Sequence, residues 1–465
     1  MDNCSEKYDV LVLGGGMSGL AASLAALEQE ASVVVVEKSS ALGGSMILSN
    51  GLIWTFKDKK QLRAEIPQGD EALQDLIVEE LPDGLKWLQS HGVILAPEQS
   101  FKWFGWGRRA NPAQMTPAME EKMRSLGATI LTDTSLDSLI VANGAVVGAV
   151  VYTDSGPREI RARTTVLATG GFQGNPELVG RYVTSNAYAL YLRSNPFSTG
   201  DGFIAALSIG AATSELLHSF YGHALAAPPA RFNQLEFQSI SQKYGVLSVA
   251  INLDGERFTD ETQGTGEEDL NFCIAQQREA TAVYVVDSNL ANIESADSPP
   301  GRVAIGRAKS AGGPVIEADT LESLASKLAD WDVSSQRAMS TFTEYNAAVE
   351  KNEGASLRPQ RRKTQIPLAA GPFTAVKVKA GITYTCGGLK ADLDMGVVRR
   401  SRSVSAYRHL RASAADLRLD TIPNLYVAGC DVGGISNWGY MGGLSQALVT
   451  GRTAGKSAAT AAICK

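Results

Sequence analysis

From Tyr8 to Leu13 the chain is nearly all apolar (YDVLVL), the pattern of a short strand buried on both faces. A glycine cluster follows, Gly14-Gly15-Gly16-Met17-Ser18-Gly19, then an Ala/Leu-rich helical stretch to about Glu30. A second apolar run, Ser32 to Val36, ends at Glu37, so the segment predicts a βαβ unit. Ala128 to Leu131 and Ser138 to Tyr152 predict further sheet elements, with turns at Asn143-Gly144 and Asp154-Ser155-Gly156. Thr164 to Leu167 predicts a strand that runs into Ala168-Thr169-Gly170-Gly171. From about 176 to 370 no βαβ rhythm repeats, and Glu353 to Lys363 (EGASLRPQRRK) reads as a polar, basic loop. Strand pattern returns at Leu425 to Val427, followed by Ala428-Gly429-Cys430-Asp431, and a small-residue-rich helix is predicted from about Gly443 to Ala462.

The glycine cluster has the spacing GxGxxG, at Gly14, Gly16 and Gly19. Each glycine has its own reason: a tight turn, close approach of backbone to a pyrophosphate, and close helix–strand contact. The helix N-terminus then offers free N–H groups to the phosphates. Glu37, 18 residues past Gly19, can accept hydrogen bonds from ribose hydroxyls. Three further features favour FAD over NAD. Gly43-Gly44-Ser45-Met46 follows Glu37 closely, Ala168-Thr169-Gly170-Gly171 ends a mid-chain strand, and Asp431 ends a late one, suited to a ribityl hydroxyl. An extended FAD needs contacts from such distant segments.

The expected fold class is therefore α/β with an α+β cap. A Rossmann-like FAD-binding domain is built from both chain ends, 1–178 and 371–465, with a capping substrate domain, 179–370, inserted between them. A net charge of −6 gives no footprint for nucleic acid. No run approaches the roughly 20 apolar residues of a membrane span, and Met1 to Tyr8 lacks signal-peptide character. Five scattered cysteines (Cys4, Cys273, Cys386, Cys430, Cys464) form no CxxC pair. They predict neither a disulfide framework nor a metal site, and they fit a reducing cytoplasm.

The motifs YDVLVLGGGMSGLAASLAA, VVVVEKSSALGGSMILSNG, TTVLATGGFQGN, STGDGFIAALSIGA, NLDGERFTDE, GITYTCGGLKAD and NLYVAGCDVGG resemble the FAD-dependent fumarate reductase, succinate dehydrogenase flavoprotein and 3-ketosteroid dehydrogenase superfamily. The resemblance runs over nearly the whole chain. It implies hydride transfer between flavin N5 and a C–C bond beside a carbonyl, with an external electron acceptor or donor. It also implies cofactor contacts from Gly14, Gly16, Met17, Ser18, Gly19, Glu37, Lys38, Gly43, Gly44, Ser45, Met46, Ala168, Thr169, Gly170, Asp201, Gly388, Asp431 and Leu444. Membrane-complex members attach FAD through a histidine near the GGS motif. This chain has Ser45 there and no histidine from Met1 to Ser90, so non-covalent FAD is expected. Fumarate-specific members carry arginines after the GERF-type and late acid motifs. None occurs here from Phe258 to Gln277 or from Asp431 to Gly451, which disfavours fumarate and succinate. TCGGL resembles ketosteroid dehydrogenases, whereas STGDG, YGHA and GERFTDE resemble tricarballylate dehydrogenase.

Chemistry beside a carbonyl needs a group that polarises the carbonyl and a group that exchanges the α-proton. Tyr384 is the first candidate, better suited as a donor than as a base given an ordinary phenol pKa near 10. His223 matches a family histidine that helps to hold substrate, with Tyr221 and His218 on the same segment. Tyr440 and Trp438 replace the missing arginine site and suit a larger, less charged molecule. The cluster Trp103, Trp106, Arg108, Arg109 is a candidate substrate entrance, and either arginine a carboxylate holder. Backbone N–H groups at Gly387, Gly388 and Gly443 are candidate oxyanion donors. Each of these positions has an alternative as ordinary packing. The favoured substrate is a cyclic ketone, with a tricarballylate- or fumarate-like carboxylic acid as the alternative. Outside redox turnover stand a non-redox flavoprotein and an FAD-stabilised binding subunit.

Overall fold

The computed structural model describes residues 7–264, 266–294, 299–400, 420–437 and 439–464. Its central sheet contains β1 (Lys7–Leu13), β2 (Val33–Val36), β3 (Thr129–Leu131), β4 (Ser135–Ala142), β5 (Ala145–Thr153), β6 (Gly156–Leu167), β7 (Gly396–Val398) and β8 (Thr421–Val427). The order along the main path is β7-β8-β6-β1-β2-β3, with β5 branching from β6 and β4 from β5. The strands β8, β6, β1, β2 and β3 are parallel, and β1 and β2 are covered on both faces, as their unbroken valine and leucine runs require.

Register explains why distant motifs meet. Leu13 pairs with Val36 and with Leu167, and Leu167 pairs with Val427. The four strands therefore end level, and Gly14, Glu37, Ala168 and Ala428 leave the sheet at one carboxyl edge. That edge is where an open α/β sheet accepts a ligand. Behind it, α1 (Met17–Leu27) packs against the final helix, Gly443–Ile463. A Cβ on Gly451 would lie 2.5 Å from the Ser18 carbonyl oxygen, and one on Gly455 2.1 Å from that of Ala22. The small residues of the last helix thus permit backbone contact with α1.

The cap carries a second, antiparallel sheet from Leu225–Ala226, Val249–Ile251, Thr281–Val286, Val315–Ala318 and Phe373–Lys379. Phe373–Lys379 is its central strand, so this sheet reaches past residue 371. Conversely, the helix Asp201–Ser208 returns to the carboxyl edge of the central sheet, where Gly202 N–H donates to Thr169 Oγ1 at 3.2 Å. The basic segment 353–363 forms a loop with one short 3₁₀ turn, but Arg361 within it is fully buried. Glu261, from the GERFTDE segment, holds Arg257 at 2.6 Å and Arg361 at 3.0 Å. A buried carboxylate between two guanidiniums makes this motif a structural joint of the cap.

Candidate active site

One cavity of about 390 Å³ runs from the carboxyl edge of the central sheet into the cap. Gly14, Gly16, Met17, Ser18, Glu37, Lys38, Gly44, Ser45, Met46, Ala168, Thr169, Gly170, Asp201 and Leu444 line its sheet-side half. Gly14 has φ +109°, and a Cβ there would lie 2.2 Å from the Ala168 carbonyl oxygen. Gly16 caps α1 without a side chain, and a Cβ on it would meet nothing closer than Gly44 Cα at 3.9 Å. The unpaired N–H groups and positive dipole end of α1 therefore face open space of the kind a pyrophosphate fills. Glu37 accepts the Gly15 and Ser39 N–H groups, each at 2.7 Å, and burial raises its pKa. Lys38 pairs with Asp201 at 3.0 Å. An open glycine cradle with a buried acid one strand away fits a dinucleotide.

Four predicted cofactor contacts do not reach the cavity wall. Gly19 and Gly43 shape it from behind: Gly19 allows α1 to touch the Gly14 carbonyl, and Gly43 donates its N–H to the Gly15 oxygen at 2.9 Å. Gly388 packs on the Asp431 backbone and donates its N–H to Ser214 Oγ at 3.2 Å. Asp431 is fully buried, and its carboxylate accepts the N–H groups of Thr169, Gly170 and Gly171 and the Thr169 hydroxyl. Its oxygens point at this loop, where a ribityl hydroxyl was expected. Burial raises the Asp431 pKa, and the four donors oppose the shift. Asp431→Ala is expected to leave three N–H groups without their acceptor and to cost about 3 kcal/mol of stability, read as a lower urea midpoint at unchanged slope.

The cap-side half is organised by the segment 381–385. Tyr191–Leu192 pairs with Gly381–Ile382 on one side, and Phe220–Tyr221 pairs with Tyr384–Thr385 on the other. Tyr221 lies directly opposite Tyr384, with ring centroids 5.2 Å apart. Tyr440 stacks on Tyr221 at 4.0 Å and packs against Trp54 at 5.3 Å. All three tyrosines line the cavity, as does Gly443. Burial holds each phenol above its usual pKa. The Tyr384 hydroxyl is buried without a hydrogen-bond partner, an unsatisfied donor on a residue of the cavity wall.

Tyr221 is wired differently. Its hydroxyl meets His223 Nε2 at 2.9 Å, and His223 Nδ1 meets Glu267 Oε2 at 2.5 Å. Glu267 opens the helix Glu267–Ala275, and its other oxygen accepts the Ala224 N–H at 2.9 Å and the Tyr284 hydroxyl at 3.2 Å. Burial pushes Glu267 well above the usual carboxylate range. Burial, with Lys243 and Arg193 nearby, pushes His223 well below the usual imidazole range. Both groups therefore favour neutral forms, and a proton can pass along the line without a lasting imidazolium.

Other candidates fall away. Arg108 donates to the Ala96 and Leu95 carbonyls and Arg109 to that of Asn50, so neither guanidinium lines the cavity. Trp103 is two-thirds exposed, and Trp106 and His218 are also off the cavity wall. Trp438 and Cys4 lie outside the described residues. Cys386 and Cys430 are free, with burial lifting the Cys386 thiol to about 12; Cys386 packs off the cavity wall, and Cys430 lines it. The Gly387 N–H faces the Ser219 carbonyl at 3.4 Å. Sequence reasoning missed Glu267, Arg193, Lys243 and Lys102, all on the cavity wall. The acid pair in GEEDL was the one available signal for Glu267, and it is equally the pattern of an ordinary helix start.

A parallel sheet with its glycine cradle at the carboxyl edge, and a cap closing a cavity over it, defines a dinucleotide-dependent redox protein. The chain belongs to the FAD binding domain family, whose model matches residues 9–445, and it is an FAD-dependent oxidoreductase. It is 27% identical to a probable fumarate reductase of Shewanella frigidimarina (strain NCIMB 400), over 99% of this chain and 76% of the relative. An NADH:fumarate oxidoreductase of Klebsiella pneumoniae (strain 342) is 25% identical over 98% of this chain, which spans 48% of that protein. A 3-ketosteroid Δ1-dehydrogenase of Sterolibacterium denitrificans, solved with 1,4-androstadiene-3,17-dione, shares the fold at a TM-score of 0.73. Its identity is 18%, with 98% of this chain and 99% of that chain covered. Among the described residues no helix is long and apolar enough to cross a membrane, and no cluster could hold a metal ion.

Proposed function

We propose that this flavoprotein forms or reduces a carbon–carbon double bond next to a carbonyl, with Tyr221 exchanging the proton. The line Tyr221–His223–Glu267 carries this reading, because it joins a cavity-lining phenol to a buried acid through a neutral imidazole. FAD, when bound, supplies hydride exchange at its N5. In the loaded state Glu267 is protonated and donates to His223 Nδ1, Nε2–H donates to the Tyr221 oxygen, and the Tyr221 proton points into the cavity. Giving that proton to the α-carbon and shifting the other two leaves Glu267 ionised and Tyr221 reprotonated, its hydroxyl now donating to Nε2. Desaturation runs the same transfers backwards. The unpartnered Tyr384 hydroxyl donates to the carbonyl oxygen and so stabilises charge there.

The cofactor is held by non-covalent contacts. Ser45 occupies the loop beside the glycine cradle, and His223, which also lines the cavity, is engaged at both ring nitrogens. Electrons are exchanged with an external donor or acceptor. The test is anaerobic mixing of oxidised and of pre-reduced holoenzyme with matched saturated and unsaturated ketones and acids. At least one pair is expected to bleach or restore the flavin absorbance, with a C–C bond changed in the product. The reading is lost if no member of either series alters the flavin redox state.

A further inference from the structure

We infer that the substrate carries a carboxylate seated on Arg193 and Lys243, an inference that rests on reading this cavity as the substrate site beside the flavin. The sequence offers no arginine at 258–277 or 431–451, yet the folded cavity recruits cations from elsewhere. Arg193 is 1% exposed and lines the cavity. Its Nη1 donates to Thr383 Oγ1 at 2.6 Å, its Nη2 approaches Ser241 Oγ at 3.3 Å, and its plane lies 4.8 Å from the Phe237 ring. Its Nε has no partner, and no ion pair to it forms among the described residues. A guanidinium stays charged when buried, so two hydroxyls and a ring leave it short of the anion that burial demands.

Lys243 lines the same wall, half-buried, and its ammonium makes no hydrogen bond or ion pair among the described residues. Glu267 and Glu268 lie near both cations, but neither forms an ion pair with them among the described residues. Lys102 is matched by Glu268 at 3.6 Å, and Glu267 is engaged with His223, Ala224 and Tyr284. Two cations therefore remain facing the cavity. A planar guanidinium with an unpaired Nε–H and no anionic partner matches a carboxylate better than a neutral ketone oxygen. Tyr221, Tyr440 and Trp54 supply the flat apolar wall beside it. The substrate class is an unsaturated carboxylic acid, or its saturated partner, in place of the neutral ring ketone.

The test is a titration of oxidised holoenzyme, followed by flavin difference absorbance, with three probes that need no turnover. These are malonate, inorganic phosphate and 2-cyclohexen-1-one. Malonate is expected to give a saturable shift. Its binding should weaken about tenfold in Lys243→Met and about a hundredfold in Arg193→Gln, the range for losing charge-assisted hydrogen bonds. Should Arg193→Gln fail to retain FAD, Lys243→Met decides. The carboxylate seat is overturned if cyclohexenone or phosphate saturates while malonate gives no shift. It is equally overturned if malonate binds Lys243→Met within twofold of the unmodified protein. The two readings fail separately. Malonate binding that responds to both substitutions, with no acid turned over, keeps the seat and removes the double-bond chemistry. Turnover of neutral enones without malonate binding does the reverse.

Discussion

Tyr221→Phe is expected to lower steady-state turnover by about 10³-fold, the usual contribution of a positioned proton donor, while the flavin content stays that of the unmodified protein. Phenylalanine keeps the ring stacked on Tyr440 at 4.0 Å and opposite Tyr384, so the aromatic wall survives and only the hydroxyl is lost. The relay makes a second demand that a purely structural tyrosine would not. Reduction of a double bond needs the loaded form with Glu267 protonated, and desaturation needs it ionised. Because burial raises the Glu267 pKa, the reductive rate should fall, and the oxidative rate rise, as pH climbs through a value above the ordinary carboxylate range. Besides burial, the groups that face Glu267 are the Ala224 N–H, Glu268, Arg193, Lys243, His223 and Tyr284. Glu267→Gln should abolish that titration while retaining a hydrogen bond to His223. A Tyr221→Phe protein with unchanged kcat, or a Glu267→Gln protein with the unmodified pH profile, would remove Tyr221 from proton exchange.

The second large effect concerns the cradle, and it separates two kinds of glycine. In Gly19→Ala the added Cβ would lie 1.8 Å from the Gly14 carbonyl oxygen, so α1 must move away from β1. Backbone displacement of that kind costs about 3 kcal/mol, or more than a hundredfold in FAD affinity. It should lower the stability of the apoprotein as well. Gly16→Ala is the contrast. Its Cβ meets no protein atom within 3.8 Å, so apoprotein stability should be preserved. The methyl instead projects where the phosphates must approach, and FAD binding should still be lost. Flavin-to-protein ratio after desalting, with urea midpoints of both apoproteins, measures each effect. Stoichiometric FAD in Gly16→Ala would show that the cofactor does not lie against this turn.

These outcomes also mark what the linear pattern could and could not convey. The strands β1 and β2 and the ends of β6 and β8 (Thr164–Leu167 and Leu425–Val427) were legible because each is a short apolar stretch ending in a glycine- or acid-bearing turn. Most of the positions proposed to hold the cofactor line the cavity, since the turn directly after a parallel strand has few places to go. Asp431 shows the limit. Its position at the end of β8 was foreseen, but its partners were not, because the Thr169–Gly171 loop lies about 260 residues away. Arg108 and Arg109 drew attention as a charged pair among aromatics, and the antiparallel pairing of Gly105–Arg109 turned them onto carbonyls. Arg361 lies in a stretch that reads as a solvated basic loop, yet it is buried because Glu261 and the Val246, Ser248 and Thr364 carbonyls satisfy it.

The sequence by itself determined the βαβ unit, the glycine turn after its first strand and the FAD class. Local rules suffice there, because backbone geometry around a glycine turn and the direction of a following helix are properties of a few consecutive residues. Only the tertiary structure decided the reacting half. His223 meets Glu267 across 44 residues, Tyr221 meets Tyr384 across a strand pairing, and Arg193 reaches Thr383 across 190. Side chains so far apart in sequence acquire shifted pKa values and unmatched charge only when burial and neighbours are imposed together. No spacing along the chain encodes that environment.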